Sequence, residues 1–256
     1  MQETMLKQVC QAQWQYFYSG ATLGYEYRKA QLIKLYSALK QNKQAIIDAL
    51  AADLGRPEFE AYFELEVFNE IKLALRQLKH WMKPKSVLPS VSQLPGKVCQ
   101  QPQAIGSVLI ISPWNYPIEL TFRPLIGAIA AGNCVILKPS ELTPTVSKLI
   151  AKIINSIYSS EYILVAEGGS EVSTTLLEQR FAHVFFTGST QVGKIVAKKA
   201  AENLTPVTLE LGGKSPVIVT RNFDKSLAAA RIMGGKLMNA GQVCLAPDYL
   251  LVEENY

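Results

Sequence analysis

Glu210 and Cys244 are the two residues whose types and surroundings point most directly to covalent chemistry. Cys244 closes the segment Asn-Ala-Gly-Gln-Val-Cys, a turn rich in glycine and amide side chains, which makes it the candidate nucleophile. The other cysteines, Cys10, Cys99 and Cys134, are expected to be small buried hydrophobic residues. Glu210 ends an apolar segment just before Leu-Gly-Gly, and a carboxylate at the end of a buried strand is suited to act as a general base.

Asn115, Lys138 and Glu141 lie where a substrate or cofactor could be bound. Asn115, in Ser-Pro-Trp-Asn-Tyr-Pro, could present its amide beside a helix N-terminus, but taken alone it is better explained as an N-cap. Lys138 and Glu141, in Leu-Lys-Pro-Ser-Glu, follow a predicted strand. They could grip the hydroxyls of a ribose or form a solvated turn with an acid near a helix start, and the residues alone favour neither.

The segment Phe-Thr-Gly-Ser-Thr-Gln-Val-Gly contains Gly188, Ser189 and Gly193 at a turn that opens a helix. Glycines there let the backbone approach a pyrophosphate, and the helix end favours its charge, although glycines also serve ordinary tight turns. The sequence contains no Gly-x-Gly-x-x-Gly, Walker A loop, Gly-x-Ser-x-Gly or His-Glu-x-x-His. The commonest signatures of nucleotide binding, esterases and metalloproteases are therefore excluded.

The elements that would position these residues fall into two parts. The first third is predicted to be helical, with helices over residues 25–40 and 43–54 and a long third helix from Pro57 to about Met82. A loop rich in Ser, Pro and Gly, residues 86–96, then separates this part from the rest of the chain.

The remaining chain alternates short apolar runs with helical patterns. Strands are predicted over residues 105–112, 134–139, 162–167, 183–187, 207–211, 216–220 and 248–254. Helices are predicted over residues 118–131, 146–157, 172–178, 191–203 and 225–239. This alternation indicates an α/β fold with a doubly wound, mostly parallel sheet, whose ligands bind at the carboxyl ends of the strands.

Composition indicates a packed globular chain without a nucleic-acid or metal partner. The 256 residues are 48% hydrophobic, and 16 glycines and 13 prolines are too few for a disordered or fibrous chain. The net charge of +5 is spread along the chain, unlike that of nucleic-acid binders. With only His80 and His183 and no Cys-x-x-Cys, no metal-ligand spacing is present. Sparse cysteines, the absence of a signal-peptide pattern and the absence of a long apolar stretch predict a cytoplasmic protein.

Together and in this order, the five motifs resemble the aldehyde dehydrogenase superfamily. They are Pro-Trp-Asn-Tyr-Pro, Lys-Pro-Ser-Glu, Phe-Thr-Gly-Ser, Leu-Glu-Leu-Gly-Gly-Lys and Gly-Gln-Val-Cys, and the 34-residue interval from Glu210 to Cys244 is also similar to the family's. The short N-terminus, Leu-Ala-Ala-Asp-Leu-Gly and Leu-Thr-Pro-Val-Thr-Leu-Glu-Leu-Gly-Gly-Lys-Ser-Pro are similar to class 3 enzymes. The resemblance covers essentially the whole chain and implies NAD(P)-dependent oxidation of medium- and long-chain aliphatic or aromatic aldehydes.

The resemblance also implies a role for each motif residue. Cys244 is expected to form a thiohemiacetal and then a thioester, and Glu210 is expected to activate the water that hydrolyses the thioester. Asn115 and the backbone N–H of Cys244 are expected to hold the oxyanion. The residues implied to bind NAD or NADP are Lys138 and Glu141 at the adenosine ribose, Gly188, Ser189 and Gly193 beside the pyrophosphate, and Leu211 and Gly212.

A two-domain organisation follows from the same resemblance. Residues 1–208 are expected to form an NAD(P)-binding domain, with a helical section 1–83, a loop 84–97 and a Rossmann-like sheet 98–208. Residues 209–256 would begin a catalytic domain. Because the family's chain is much longer, this chain is expected to be a fragment that is inactive or barely active and aggregation-prone alone. The complete enzyme is expected to be a homodimer.

Two other classes of function compete with this interpretation. One is a non-catalytic nucleotide-binding or interaction module, the remnant of a broken dehydrogenase gene, which would bind cofactor without turnover. The other is a cysteine hydrolase or acyltransferase, which needs a histidine near Cys244. His80 lies in a helix beside Trp81, and His183 begins a predicted strand, so both are better explained as structural.

Overall fold

The structure is a computed structural model that describes residues 3–253. Residues 1, 2 and 254–256 lie outside the described part. They include Glu254, the last residue of the predicted C-terminal strand, and the outer ends of the two predicted domains.

The first third of the chain is helical, as predicted, and its described residues form five helices where three were predicted. They are α1 (Glu3–Tyr18), α2 (Tyr25–Gln41), α3 (Lys43–Leu54), α4 (Glu58–Glu64) and α5 (Val67–Trp81). The prediction of one long third helix was wrong, because the backbone N–H groups of Leu65 and Glu66 bond to carbonyls three residues back rather than four. This tightened turn ends α4 at Glu64, whose side chain is buried.

A short antiparallel ribbon occupies part of the predicted loop. Strands β1 (Lys85–Val87) and β2 (Val98–Gln100) pair with each other, with a 3₁₀ turn at Val91–Gln93 between them. The sequence analysis missed both strands because they are three residues long and mostly exposed, so they lack a buried face with an alternating apolar pattern.

The second part is a five-stranded parallel sheet with helices between its strands, which confirms the predicted α/β class. In chain order, its elements are β3 (Ser107–Ile111), α6 (Glu119–Ala131), β4 (Cys134–Lys138), α7 (Pro144–Ile157), β5 (Ile163–Val165), α8 (Ser170–Leu177), β6 (His183–Gly188), α9 (Thr190–Glu202) and β7 (Val207–Leu211). The strand order is β5-β4-β3-β6-β7, so the chain winds outward in both directions from β3.

Both faces of the central strands are covered by apolar side chains. In β3, Val108 and Ile110 belong to one core with α2, α3, α5, α6 and α7, whereas Leu109 and Ile111 belong to the core on the opposite face. All residues of β3 and β4 are buried. Their continuous apolar runs are therefore explained by burial on both sides.

The chain after β7 leaves this sheet. It contains β8 (Val217–Val219), α10 (Lys225–Leu237), a 3₁₀ turn at Met238–Gly241 and β9 (Leu250–Val252). The strand predicted at 216–220 is present as β8 and lies outside the five-stranded sheet. Strand β8 pairs instead with β9, in a separate two-stranded parallel sheet.

Candidate active site

The carboxyl ends of β3, β4, β6 and β7 lie at one edge of the sheet and bring most of the predicted site residues there. Register pairs place Lys138, the last residue of β4, beside Ile111, and Gly188, the last residue of β6, beside Leu211. Asn115 follows β3 in the connection to α6. This is the edge at which parallel α/β sheets bind their ligands.

Lys138 and Glu141 form a pair at this edge. The Lys138 side chain is 3% exposed, and its Nζ donates to Glu141 Oε2 at 2.7 Å and to the carbonyl of Pro139 at 3.1 Å. Partial burial acts to raise the pKa of Glu141, but the bond from Lys138 and a backbone N–H outweigh it and hold that pKa below its ordinary value. The Lys138 ammonium is buried, whereas Glu141 lies exposed in the turn ahead of α7, and the pair can both donate to and accept from a diol.

Side chains pack closely against the glycines at the end of β6 and the start of α9. A Cβ at Gly188 would lie 2.5 Å from the ring of Phe186, and one at Gly193 would lie 2.7 Å from Leu211 Cδ2. Ser189 caps α9, since its hydroxyl accepts from the backbone N–H of Val192 at 3.3 Å. The start of α9 therefore lies close against the sheet edge, a geometry that suits an anion at the helix N-terminus.

Gly212 follows β7 and faces open space, with no atom within 4 Å of a Cβ built there. It lies beside Leu211, whose side chain contacts the start of α9. The Lys138–Glu141 pair, the start of α9 and Gly212 therefore lie at the carboxyl ends of the strands of one sheet.

Asn115 is not the N-cap of α6, so that interpretation was wrong. Helix α6 begins at Glu119, and its first backbone N–H groups are bound by the carboxylate of Glu64, which leaves no capping role for Asn115. The Asn115 amide instead donates from Nδ2 to the carbonyl of Gln242 at 2.8 Å. The structure therefore brings Asn115 next to the segment that carries Cys244.

Cys244 is exposed and lies in the turn that follows the 3₁₀ segment, as the sequence predicted. Its carbonyl lies 3.8 Å from a Cβ built at Gly213, so this turn is close to the residues that follow β7. The prediction for the other cysteines holds for Cys10 and Cys134, which are buried. It was wrong for Cys99, which is exposed because it lies in the β1–β2 ribbon.

Glu210 differs from its prediction in its burial. It lies on β7 opposite Thr187, but β7 is the edge strand of the five-stranded sheet and the Glu210 side chain is exposed. Within residues 3–253, no hydrogen bond joins its carboxylate to Cys244. Asn115 is thus hydrogen-bonded to the segment that carries Cys244, whereas in the described residues Glu210 is not.

The sequence analysis missed three buried residues that contact Asn115 or its loop. Arg56 and Glu64 form a buried ion pair, and Arg56 also donates to Asn239 Oδ1 at 2.7 Å. Burial raises the pKa of Glu64 to about 7, against the opposing effects of Arg56 and two backbone N–H groups. Only Asn239, ahead of Ala-Gly, carried a turn signal in the sequence.

The described part of the chain contains neither a candidate metal site nor a candidate membrane-spanning helix. No group of three or more His, Cys, Asp or Glu side chains there could hold a metal ion. None of its helices combines the length and the apolar character needed to cross a membrane.

Comparison with family models gives a match along the whole chain. The model described as "Aldehyde dehydrogenase family" matches residues 1–256. Among curated proteins, the chain is 49% identical over 242 residues to a 4,4'-diaponeurosporen-aldehyde dehydrogenase of Staphylococcus aureus. This alignment covers 94% of this chain and 53% of that protein. It is 46% identical over 237 residues to human aldehyde dehydrogenase family 3 member B1, covering 92% of this chain and 51% of that protein.

Solved structures share the same fold. The substrate-bound state of Staphylococcus aureus AldH superposes with a TM-score of 0.93 at 47% identity, over 96% of this chain and 54% of that one. Glyceraldehyde-3-phosphate dehydrogenase GapN from Methanocaldococcus jannaschii, complexed with NADP, superposes with a TM-score of 0.89 at 27% identity. The match covers 99% of this chain and 56% of that one. The chain spans about half the length of the relatives that it matches.

Proposed function

The chain belongs to the aldehyde dehydrogenase family, and on that premise we propose that it contributes the nucleophile and the cofactor surface of an NAD(P)-dependent aldehyde dehydrogenase. The proposed reaction converts an aldehyde, water and NAD(P)⁺ to a carboxylic acid, NAD(P)H and a proton. The proposed substrates are medium- and long-chain aliphatic or aromatic aldehydes, in line with the family 3 relatives.

Cys244 is the proposed nucleophile. Its exposed thiol, as the thiolate, attacks the aldehyde carbonyl, and the sulfur–carbon bond that forms gives a thiohemiacetal. When bound, the nicotinamide cofactor supplies the hydride acceptor for the oxidation. The covalent species on Cys244 after the oxidation is a thioester, which water then hydrolyses to the acid.

Asn115 is the proposed oxyanion donor, and its position is the observation that carries the proposal. Its amide is held beside the Cys244 turn by the 2.8 Å bond from Nδ2 to the Gln242 carbonyl. That bond uses one of the two N–H donors of the amide, which leaves the second for the developing oxyanion. A fixed donor of this kind is typically worth about 2.7–4 kcal/mol in the transition state.

Glu210 is the proposed general base for thioester hydrolysis. Its carboxylate is exposed, so a water molecule can reach it. General-base catalysis by a positioned carboxylate typically contributes about 10²–10⁴ in rate.

The proposed cofactor surface combines the features at the sheet edge. Lys138 and Glu141 would hold the adenosine ribose, and the start of α9 at Gly188, Ser189 and Gly193 would hold the pyrophosphate, with Leu211 and Gly212 alongside. The buried ammonium of Lys138 and the close packing of Gly193 on Leu211 support this assignment. NAD and NADP both remain candidates, and the GapN structure is a complex with NADP.

The proposed organisation is a cofactor domain followed by the start of a catalytic domain. The boundary predicted after residue 208 falls inside β7, which pairs with β6 as far as Leu211, so we place it after Leu211. For the complete protein we propose a homodimer, which sedimentation equilibrium would test against a monomer. The four free cysteines support a cytoplasmic location, which fractionation of the native cells would test.

The experiment that tests the function is a Cys244→Ser substitution in the complete protein that its gene encodes. Acid formation from a long-chain aldehyde with NAD⁺ or NADP⁺ should fall to background, because the alcohol of serine is a far weaker nucleophile than a thiolate. Cys99→Ser is the matched control, since Cys99 is the other exposed cysteine, and it should keep full activity. Acid formation that survives Cys244→Ser would refute the assigned nucleophile.

A further inference from the structure

Arg56 and Glu64 form an ion pair whose side chains are almost completely buried, at 1% and 0% exposure. Arg56 follows the left-handed Gly55 that ends α3, and Glu64 is the last residue of α4. Removing two charges from water costs free energy that their mutual attraction seldom recovers. The other hydrogen bonds of the two side chains therefore indicate which part of the structure the pair stabilises.

Glu64 binds the end of the loop that carries Asn115, residues 112–118 between β3 and α6. Its Oε2 accepts from the backbone N–H of Ile118 at 2.6 Å and of Glu119 at 3.0 Å, at the start of α6. No side chain within α6 caps this helix start. The carboxylate therefore does so from 54 residues earlier in the chain and fixes where the loop joins the helix.

Arg56 holds the loop itself and the turn that leads to Cys244. Its Nη1 contacts Glu64, while its Nη2 donates to the carbonyl of Asn115 at 2.5 Å and to Asn239 Oδ1 at 2.7 Å. The guanidinium also lies over the ring of Tyr116, at 4.9 Å from the centroid. One planar side chain thus joins two segments that are far apart in sequence.

Asn239 completes the connection. Its Nδ2 donates to the carbonyls of Asn115 at 2.9 Å and Gln242 at 3.3 Å, and its backbone has φ of 48°, a left-handed conformation that Asn tolerates better than most residues. The Gln242 carbonyl is the group that also accepts from the Asn115 amide. The four residues therefore form one continuous set of bonds that ends at the proposed oxyanion donor.

We propose that Arg56, supported by Glu64 and Asn239, is a positioning residue that fixes the Asn115 amide relative to the Cys244 turn. The inference rests on the proposed function and adds residues that touch neither the reacting carbonyl nor the cofactor surface. An oxyanion donor works because it is already oriented before the reaction, so the group that orients it contributes to the rate only through that donor.

The test is a double-substitution cycle in the complete protein that its gene encodes. Asn115→Ala should lower kcat by about 10²–10³. Arg56→Met should lower kcat on the order of 10- to 100-fold by misplacing the donor, while KM for NAD(P)⁺ changes little. The double variant should be no slower than Asn115→Ala alone, because Arg56 has nothing left to position.

Two further variants separate positioning from general stabilisation. Arg56→Lys keeps a charge for Glu64 but lacks the planar fork that reaches Asn115 and Asn239, so it should lower kcat as Arg56→Met does while its thermal midpoint stays closer to that of the parent. Arg28→Met is the matched control: Arg28 is also buried and donates to two backbone carbonyls, those of Thr22 and Ala130, away from Cys244. It should lower the thermal midpoint, and any effect that it has on kcat should multiply with that of Asn115→Ala.

Either of two results would overturn the proposal. The first is an unchanged kcat in Arg56→Met, and the second is a double variant whose loss of kcat equals the product of the two single losses. If Arg56→Met does not fold, Asn239→Ala takes its place, since it removes the bonds of Asn239 to Arg56, Asn115 and Gln242 and leaves the ion pair, and the same criterion applies. Failure of the proposed function is distinguishable, because then Cys244→Ser would keep acid formation whatever the cycle shows.

Discussion

At the scale of single residues, the four thiols differ in burial, and this difference separates the proposed nucleophile from most of its alternatives. Cys10 and Cys134 are 5% and 0% exposed, and burial raises the pKa of each thiol to about 12. Cys99 and Cys244 are exposed. Since the thiolate is the reactive form, only the exposed pair offers thiols that a reagent can reach.

We expect iodoacetamide at pH 8 to alkylate Cys99 and Cys244 in the native protein and to leave Cys10 and Cys134 unmodified. At that pH a thiol with a pKa of about 12 is ionised to only ~10⁻⁴, and its burial also blocks the reagent. Peptide mass spectrometry after timed quenching gives the rate at each cysteine. The Cys99→Ser, Cys244→Ser double variant is the control and should incorporate no label until urea is added. Fast labelling of Cys134 in native protein would contradict the described packing.

At the scale of elements, β6 and β7 are joined by a side-chain bond as well as by their backbones. His183 begins β6, and its Nε2 lies 3.0 Å from Thr208 Oγ1 on β7. Partial burial lowers the pKa of His183 below its ordinary value near 6.5. The folded protein therefore resists protonation at a position where the unfolded chain accepts it.

This difference predicts how stability depends on pH. Below pH ~6.5 the unfolded state binds a proton at residue 183 that the folded state still excludes, so the free energy of unfolding falls as the pH decreases toward the folded pKa. Above that window the contribution is fully present. Urea midpoints of His183→Gln should fall less between pH 7 and pH 5 than those of the parent, because glutamine keeps a partner for Thr208 and does not titrate. A slope in His183→Gln that is identical to the slope of the parent would sink the prediction.

The sequence was sufficient for elements whose pattern is local. Strands β3 and β4 were predicted within two residues of their bounds, because burial on both faces leaves a continuous apolar run. Elements set by distant partners were not predictable. The break between α4 and α5 coincides with Glu64, whose partners Arg56 and Ile118 lie 8 and 54 residues away.

The same limit applies to the site. The motif residues and their common sheet edge follow from strand ends, which local patterns reveal. The exposure of Glu210 could not be predicted from the sequence. An apolar strand does not indicate whether it lies at the centre or at the edge of its sheet. Arg56 was missed because a basic residue after a helix normally indicates a solvated boundary. Its partners Asn115 and Asn239 are distant in sequence, so no local pattern predicts these contacts.

At the scale of the whole molecule, the first helix is fastened to the sheet by a buried amide. Gln13 on α1 donates from Nε2 to the carbonyl of Val135 at 2.9 Å and accepts from the hydroxyl of Ser107 at 2.6 Å. Trp14 adds a bond to the carbonyl of Arg180 at 2.9 Å. These bonds join α1 to β3, β4 and the turn before β6, between residues more than 90 positions apart in the sequence.

The chain after Leu211 is covered much less well. Its buried residues are Val219, Ala228, Asn239 and Ala246, whereas its apolar side chains Ile218 and Leu245 are 71% and 73% exposed. Local opening is cheapest where few apolar contacts must be broken. Within residues 1–256, stability should therefore be uneven, with β3 and β4 at the high end and the segment from β8 to β9 at the low end.

Amide hydrogen exchange on a polypeptide of residues 1–256 tests this unevenness. Amides of β3 and β4 should exchange only through global unfolding, since every residue of both strands is buried. Amides of β8, α10 and β9 should exchange at low denaturant with rates insensitive to the global stability, because β8 and β9 bond mainly to each other. The α2 and α5 helices, which pack in the main core, are the internal control and should follow β3. Equal protection throughout would mean that the segment after Leu211 unfolds together with the sheet, and the proposed boundary there would have no energetic basis.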